Sequence, residues 1–288
     1  MKKILVIGST AVDVRIRIPH LPKTGEDINI VQVENRIGGC AYTVAHILKH
    51  FSIPHILCSP VGTGVYGEFV LNHFEKEGIT PFIRLEEENG CCYCLIEENG
   101  ERSFLSLHGA EYRFGWMGAV DFPLADLDGV FVCGVDIEDP TGVEIAAFVH
   151  AHPELTIFFA PGPRLMSIER ERMEAILACS PILHLNKAEA SEYTGETDVE
   201  RAGAILAKKT GAALVITLGE HGAYYREHGA SSGRVARGAS VQVKDTVGAG
   251  DTHCGAVIAG LKQGLSLQAA VERANLTSAA LVSGKPLP

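Results

Sequence analysis

The chain has no run of about 18 apolar residues, the length a membrane-spanning helix needs, so no transmembrane helix is expected. After Met1-Lys2-Lys3 only Ile4 to Ile7 are apolar without a break, too few for a signal-peptide core. Basic residues are in deficit, 25 Lys and Arg against 35 Asp and Glu, which gives a net charge of −10. That excess of acid disfavours binding to a phosphate backbone, and no nucleic-acid partner is expected. No G-x-x-x-x-G-K-[ST] run exists, so this is not a P-loop protein. Repeats, low-complexity tracts and linkers are also missing, and residues 1–288 read as one domain. Eight cysteines without a secretion signal suggest reduced thiols in a cytoplasmic protein. What remains is 46% hydrophobic and 21% charged over 288 residues, the make-up of a globular α/β chain with a sizeable core.

Short apolar runs alternate with helical patterns. Ile4–Ile7 reads as a buried parallel strand. Ala11–Ile18 and Ile28–Val33 alternate apolar and polar residues, as strands with one wet face do. Gly38-Gly39 opens a helical run, followed by a strand at 55–61 and a helix at 66–76. A hairpin is expected at 92–107, turning at Glu98-Asn99-Gly100. Strands at 130–133, 156–159, 182–185 and 213–217 then alternate with helices at 142–150, 168–178 and 199–208. Such alternation predicts a mostly parallel sheet between two helical layers. Two helices, 250–263 and 267–282, finish the chain, the second capped by Ser266. The amphipathic strands, at about 12–35 and 90–107, read as excursions that build a small β lid.

The most informative stretch is Asp245-Thr246-Val247-Gly248-Ala249-Gly250-Asp251, followed by an apolar helical run. Gly248 and Gly250 permit a tight turn and close approach to a ligand. Unpaired amides at a helix start, together with the helix dipole, make an anion site. Asp251 opposes an anion there, so its use is either to cap the helix or to accept a proton from an attacking hydroxyl.

This stretch resembles the D-T-x-G-A-G-D signature of the ribokinase-like (PfkB) kinases, which phosphorylate sugars and nucleosides. The resemblance implies that Asp251 is the general base and that the amides of Gly248, Ala249 and Gly250 form the anion hole. It implies a three-layer α/β/α fold with a central mostly parallel sheet, and a lid that closes over the sugar and often pairs two subunits. It also implies ATP and magnesium as cofactors and a small-molecule acceptor.

Further segments extend the resemblance. Asp13, just past the first strand, matches the aspartate that holds the acceptor's hydroxyls. Gly38-Gly39-Cys40-Ala41-Tyr42-Thr43-Val44-Ala45 resembles G-G-x-x-x-N-x-A, with Thr43 where the family has asparagine. Ala11 likewise stands where ribokinase proper has asparagine. Two lost amides, and Cys92, Tyr93 and Leu95 on the lid, favour a sugar derivative or nucleoside over free ribose, phosphorylated at a hydroxymethyl group. Asn186-Lys187-Ala188-Glu189 resembles the N-x-x-E motif, which implies that Asn186 serves the phosphates and that Glu189 orders magnesium through water. Thr217-Leu218-Gly219-Glu220-His221-Gly222 resembles the T-x-G-x-x-G nucleotide loop, and Asn275 falls where the family lines its adenine pocket. Arg164 matches a segment that contacts anions, although the aspartate of that segment is Ala160 here. The ending lacks T-R-x-G-A, which leaves a monovalent-cation site near Asp245 open.

Two other patterns compete. Gly62-Thr63-Gly64-Val65-Tyr66-Gly67 is a formal G-x-G-x-x-G with Glu86–Glu88 about 20 residues on, the pattern of an NAD(P)-dependent oxidoreductase. Against it, the acid run is expected to precede a lid hairpin rather than end a βαβ unit. Cys91-Cys92-Tyr93-Cys94 is a formal C-x-x-C, but no further ligand lies at workable spacing, so no zinc is expected. A non-catalytic sugar-binding regulator is the third alternative.

Overall fold

The structure is a computed structural model that describes residues 1–236 and 240–288. It divides into two compact units, one of residues Met1–Ile7, Thr43–Leu57 and Phe114–Pro288, the other of Gly8–Tyr42 and Cys58–Arg113.

In chain order the first elements are β1 (Lys3–Ile7), β2 (Ala11–Ile18), β3 (Gln32–Gly38) and α1 (Cys40–His50). Then come β4 (His55–Cys58), β5 (Pro60–Thr63), α2 (Gly64–Glu77), β6 (Ile83–Glu88), β7 (Cys91–Glu97) and β8 (Arg102–Leu107). The alternating part holds β9 (Leu127–Cys133), α3 (Gly134–Glu138), α4 (Val143–Ala151), β10 (Thr156–Ala160) and α5 (Arg170–Ala178). After these come β11 (Ile182–Asn186), α6 (Lys187–Thr194), α7 (Val199–Thr210) and β12 (Leu214–Thr217). The chain closes with β13 (Ala223–Arg226), β14 (Arg234–Ala236), α8 (Ala249–Lys262) and α9 (Leu267–Ser283).

The larger unit is built on an eight-stranded sheet ordered β14-β13-β12-β11-β10-β9-β1-β4. Strands β1, β9, β10, β11 and β12 run parallel, and β13 and β14 add an antiparallel edge. Ile4, Leu5, Val6 and Ile7 have no measurable exposure, as a strand covered on both faces requires. Helices α8 and α9 cross where Gly260 meets Ala270, and α8 approaches α1 at Gly255, against Ile47. A side chain at either glycine would push these helices apart. Ile47, Val215, Tyr225, Val257, Val271 and Ala274 form one buried cluster beneath them.

The smaller unit holds a four-stranded sheet, β3-β2-β7-β8, and a parallel pair, β5-β6. In it β2 lies antiparallel to β3 and parallel to β7. The alternation at 28–33 is only partly a strand, since β3 starts at Gln32 and runs to Gly38. Ile30, Val31 and Val33 are exposed, so their period marks no buried face. The single strand expected at 55–61 is two, broken before Pro60, which has no N–H to continue a ladder. The first piece joins the large sheet and the second pairs with β6.

Candidate active site

Helix α8 begins at Ala249, and its N-cap is Gly248, at φ 72°. Only glycine takes this left-handed conformation without strain. The cap reading of Asp251 therefore fails: Asp251 sits inside the first turn, at its third residue. Gly250 has ordinary helical backbone, so the tight turn rests on Gly248 alone. A methyl group at Gly250 would enter open space, so glycine here leaves room above the helix end. The loop before the helix is tied on both sides. Asp245 accepts a hydrogen bond from the Val247 amide at 3.0 Å, and the Lys244 amide donates to the Val282 carbonyl at 2.7 Å. The Ala249 amide donates to the Thr246 carbonyl at 3.2 Å, so part of the expected anion hole is already engaged. Thr43, on α1, stands beside Gly248, its methyl 3.6 Å from where a β-carbon would lie.

A cavity of about 350 Å³ lies against this helix start. Its lining brings together Thr217, Gly219 and Gly222 from the β12–β13 turn, Ala249 and Gly250 from α8, and Asn275 from α9. The turn is a hairpin, with Thr217 opposite Ala223, so the residues that resemble the nucleotide loop join two antiparallel strands. The Thr217 hydroxyl donates to the Leu185 carbonyl at a long 3.4 Å.

Beneath the cavity runs a buried polar chain that the motif left without a role. The Asn275 amide nitrogen donates to the Ala236 carbonyl at 3.2 Å, which can only accept. That fixes the amide, so its oxygen accepts from His253 Nε2 at 3.0 Å. In a neutral ring His253 Nδ1 must then accept, and it takes the proton of His184 Nε2 at 2.8 Å. Burial pushes His253 down to about 4. Burial and then the neighbouring His253 hold His184 well below the ordinary histidine value. Both rings are neutral, so the chain has one direction of donation and holds Asn275 in one orientation. His253 also lines the cavity. The sequence signal was available: a histidine two residues past Asp251, just before the apolar run Ala256–Ala259 of a helix that the core must bury.

Asn186 ends β11 in register with Thr217 on β12, at the carboxyl edge of the sheet where open α/β folds bind ligands. With Glu189 it forms a reciprocal capping box. The Asn186 oxygen accepts from the Glu189 amide at 2.8 Å, and the Glu189 carboxylate accepts from the Asn186 main chain at 2.9 Å and side chain at 2.6 Å. Glu189 is buried, not a surface residue, and burial raises its carboxyl above the usual range. Each carboxylate oxygen holds one bond and keeps lone-pair capacity. The group therefore fits a magnesium ion through water, whereas direct coordination would cost the cap.

In the smaller unit Asp13, Gly38 and Gly39 come together. A methyl group at Gly38 would overlap the Asp13 carboxylate. At Gly39, φ 93°, a β-carbon would strike the Ser9 carbonyl. Gly38 thus makes the space Asp13 occupies, and Gly39 lets the chain pass close to the backbone of Ser9 and Ala11. Arg164 pairs with Glu138 and does not line the cavity.

The G-x-G-x-x-G segment needs a correction. β5, α2 and β6 do form a βαβ unit, and Glu86–Glu88 end its second strand. The glycines nonetheless serve packing. A side chain on Gly62 would strike the Glu87 carbonyl, one on Gly67 would strike Gly62, and the Gly62 amide donates to Asn89 at 2.6 Å. The loop is filled by its own chain where a pyrophosphate would have to lie.

The model of the pfkB family carbohydrate kinases matches residues 1–286. A curated relative, the uncharacterized sugar kinase YegV of Escherichia coli, is 32% identical over 286 residues, 98% of this chain and 88% of that protein. Among solved structures, ribokinase from Cryptococcus neoformans in complex with ADP superposes with a TM-score of 0.78 at 22% identity, covering 100% of this chain and 96% of that one. A nucleoside kinase from Burkholderia thailandensis in complex with inosine gives 0.79 at 18% identity, covering 97% and 91%. A match over nearly every residue, reaching from β1 to the end of α9, leaves one conclusion: this chain belongs to the pfkB family of carbohydrate kinases.

Proposed function

We propose that this kinase transfers the γ-phosphoryl group of ATP to a primary hydroxyl of a sugar derivative or nucleoside. The observation that carries the reading is the cavity that joins Thr217, Gly219, Gly222 and Asn275 to the start of α8. The polyphosphate end of a nucleotide lying there meets first-turn amides and the positive end of a helix dipole. The Gly248 and Gly250 amides stabilise charge on the transferred group, while the Ala249 amide, held by the Thr246 carbonyl, fixes the loop between them. Asp251, in the same turn, takes the proton of the attacking hydroxyl. Asp13 accepts hydrogen bonds from the acceptor's hydroxyls, with Gly38 making room for it, Gly39 keeping the backbone beside it open to the acceptor, and Thr43 offering a single hydroxyl near the anion loop. Magnesium, when bound, neutralises phosphate charge, and Glu189 orders its water shell from the Asn186 cap.

The test is Asp251→Asn. It keeps the size of the side chain and removes the proton acceptor, so kcat should fall by ~10²–10⁴ while ATP and acceptor still bind. A folded variant with near-normal turnover would remove Asp251 from the role of base.

The smaller unit is read as the lid of a single kinase domain. It exposes Val31, Val33, Phe104, Leu105 and Leu107 on β3, β8 and the residue before β3. Such apolar residues on a small sheet suit a second copy of the chain. A purely monomeric mass by light scattering across a concentration series would remove the dimer. The eight free thiols suit a reducing, cytoplasmic setting, and among the described residues no helix is long and apolar enough to cross a membrane.

A further inference from the structure

Among the described residues one cluster brings three metal-binding side chains together: Asp13, Cys92 and Cys94, with ligand atoms all within 4.8 Å of one another. Sequence spacing hid it, because two ligands come from β7 and the third from β2. The sheet assembles them by register. Asp13 pairs with Cys92 across the parallel β2–β7 ladder, and Cys94, two residues on, shares the same face. Ser106, opposite Cys92 on β8, directs its hydroxyl to the Cys92 sulfur at 3.9 Å.

The geometry points to a site for a thiophilic divalent cation, zinc by class, held by the Asp13 carboxylate and the Cys92 and Cys94 thiolates. Two zinc–sulfur bonds of about 2.3 Å at a tetrahedral angle place their sulfurs about 3.8 Å apart. The Cys92 and Cys94 sulfurs are 3.9 Å apart without any ion. Little movement is needed to close the pair on a metal. Charge balances as well: three anionic ligands meet two charges on the ion and one on Arg15, which pairs with Cys94 in register. Binding releases the two thiol protons to solvent as the thiolate–metal bonds form. Three protein ligands leave a fourth position for water. Sulfur donors select zinc over the magnesium that accompanies ATP.

The consequence rests on the proposed role of Asp13. A carboxylate drawn onto zinc no longer accepts from the acceptor's hydroxyls, so zinc inhibits the kinase by raising KM for the acceptor and not for ATP.

The experiment uses the reduced full chain and cobalt(II) as the probe, with Cys92→Ser as the variant. Cys94 is 1% exposed and its replacement risks the fold, whereas Cys92 is only half-buried. The wild type should bind one cobalt ion, with tetrahedral d–d absorption and a thiolate charge-transfer band, and zinc should displace it. Loss of one thiolate should weaken binding by at least ~10–100-fold. In the kinase assay zinc should raise the wild-type acceptor KM, a chelator should restore it, and Cys92→Ser should resist. Weak octahedral cobalt spectra, or binding unchanged in Cys92→Ser, would overturn the site. Tight thiolate binding with equal zinc inhibition of both proteins would overturn the inhibition. The cobalt spectrum needs no turnover, so failure of the kinase reading leaves the metal result legible, and the reverse also holds.

Discussion

Acidification should destabilise this protein through its buried histidine pair, and the size of the effect follows from His253. In the folded state burial holds this ring near 4, against 6.5 for an exposed histidine. Unfolding lets it reach the ordinary value, so between these limits the unfolded chain binds a proton that the folded chain refuses. The direction is then set. The contribution is intact above pH 6.5 and is lost progressively as pH falls toward 4. From pH 7 to pH 5 the linkage amounts to about 2 kcal/mol for His253 alone. His184, also depressed, adds to it in the same direction. Glu111 and Glu189 work oppositely, because burial raises them and acid relieves their cost. A control is therefore needed. His253→Gln keeps a donor for the Asn275 oxygen and removes the titration. Urea unfolding of both proteins at pH 7 and pH 5 isolates the term. The wild type should lose about 2 kcal/mol more than the variant on acidification. Equal losses would refute the buried neutral pair as the source.

Three other outcomes are expected. Gly38→Ala puts a methyl group where the Asp13 carboxylate sits, and loss of one charged hydrogen bond, about 1.5–3 kcal/mol, should raise the acceptor KM by ~10–100-fold with the ATP KM unchanged. An ATP-side effect of equal size would deny Asp13 its place. Glu189→Gln puts a donor where the Asn186 donors now point, so it should cost about 0.5–2 kcal/mol of stability through the cap and raise the magnesium needed for half-maximal rate. An unchanged magnesium titration would leave Glu189 a helix cap only. Across ribose, fructose, adenosine and pseudouridine, a nucleoside or sugar derivative should give the highest kcat/KM, and ribose as the clear best would defeat the argument from Ala11 and Thr43.

The parallel core was legible because its signals are local. Short apolar runs bounded by glycine or proline marked β1, β9, β10, β11 and β12 to within a few residues. Gly248 was legible too, since only one residue type suits its backbone. What escaped was anything set by partners far along the chain. The stop at Ser59 and the late start of β3 depend on which sheet each strand joins. Asp13 meeting Cys92 depends on strand register, and the His184–His253–Asn275 chain on how α8 packs between β11 and α9. The T-x-G-x-x-G stretch showed the opposite limit: its pattern was visible, but not the hairpin that sets Thr217 opposite Ala223.

The chain order of the two units has a consequence for synthesis. Every strand of the smaller unit lies before residue 113, although its residues come in two separate stretches. β1, made first, acquires its β9 neighbour only when Leu127 to Val132 have been added. For much of translation the nascent chain can therefore complete the β3-β2-β7-β8 sheet while the larger sheet holds only β1 and β4. The early apolar run Ile4–Ile7 must wait, uncovered on one edge, for a partner more than a hundred residues downstream. Slow delivery of β9 lengthens that wait, so ribosome pausing before residue 127 is where this enzyme is most exposed to aggregation.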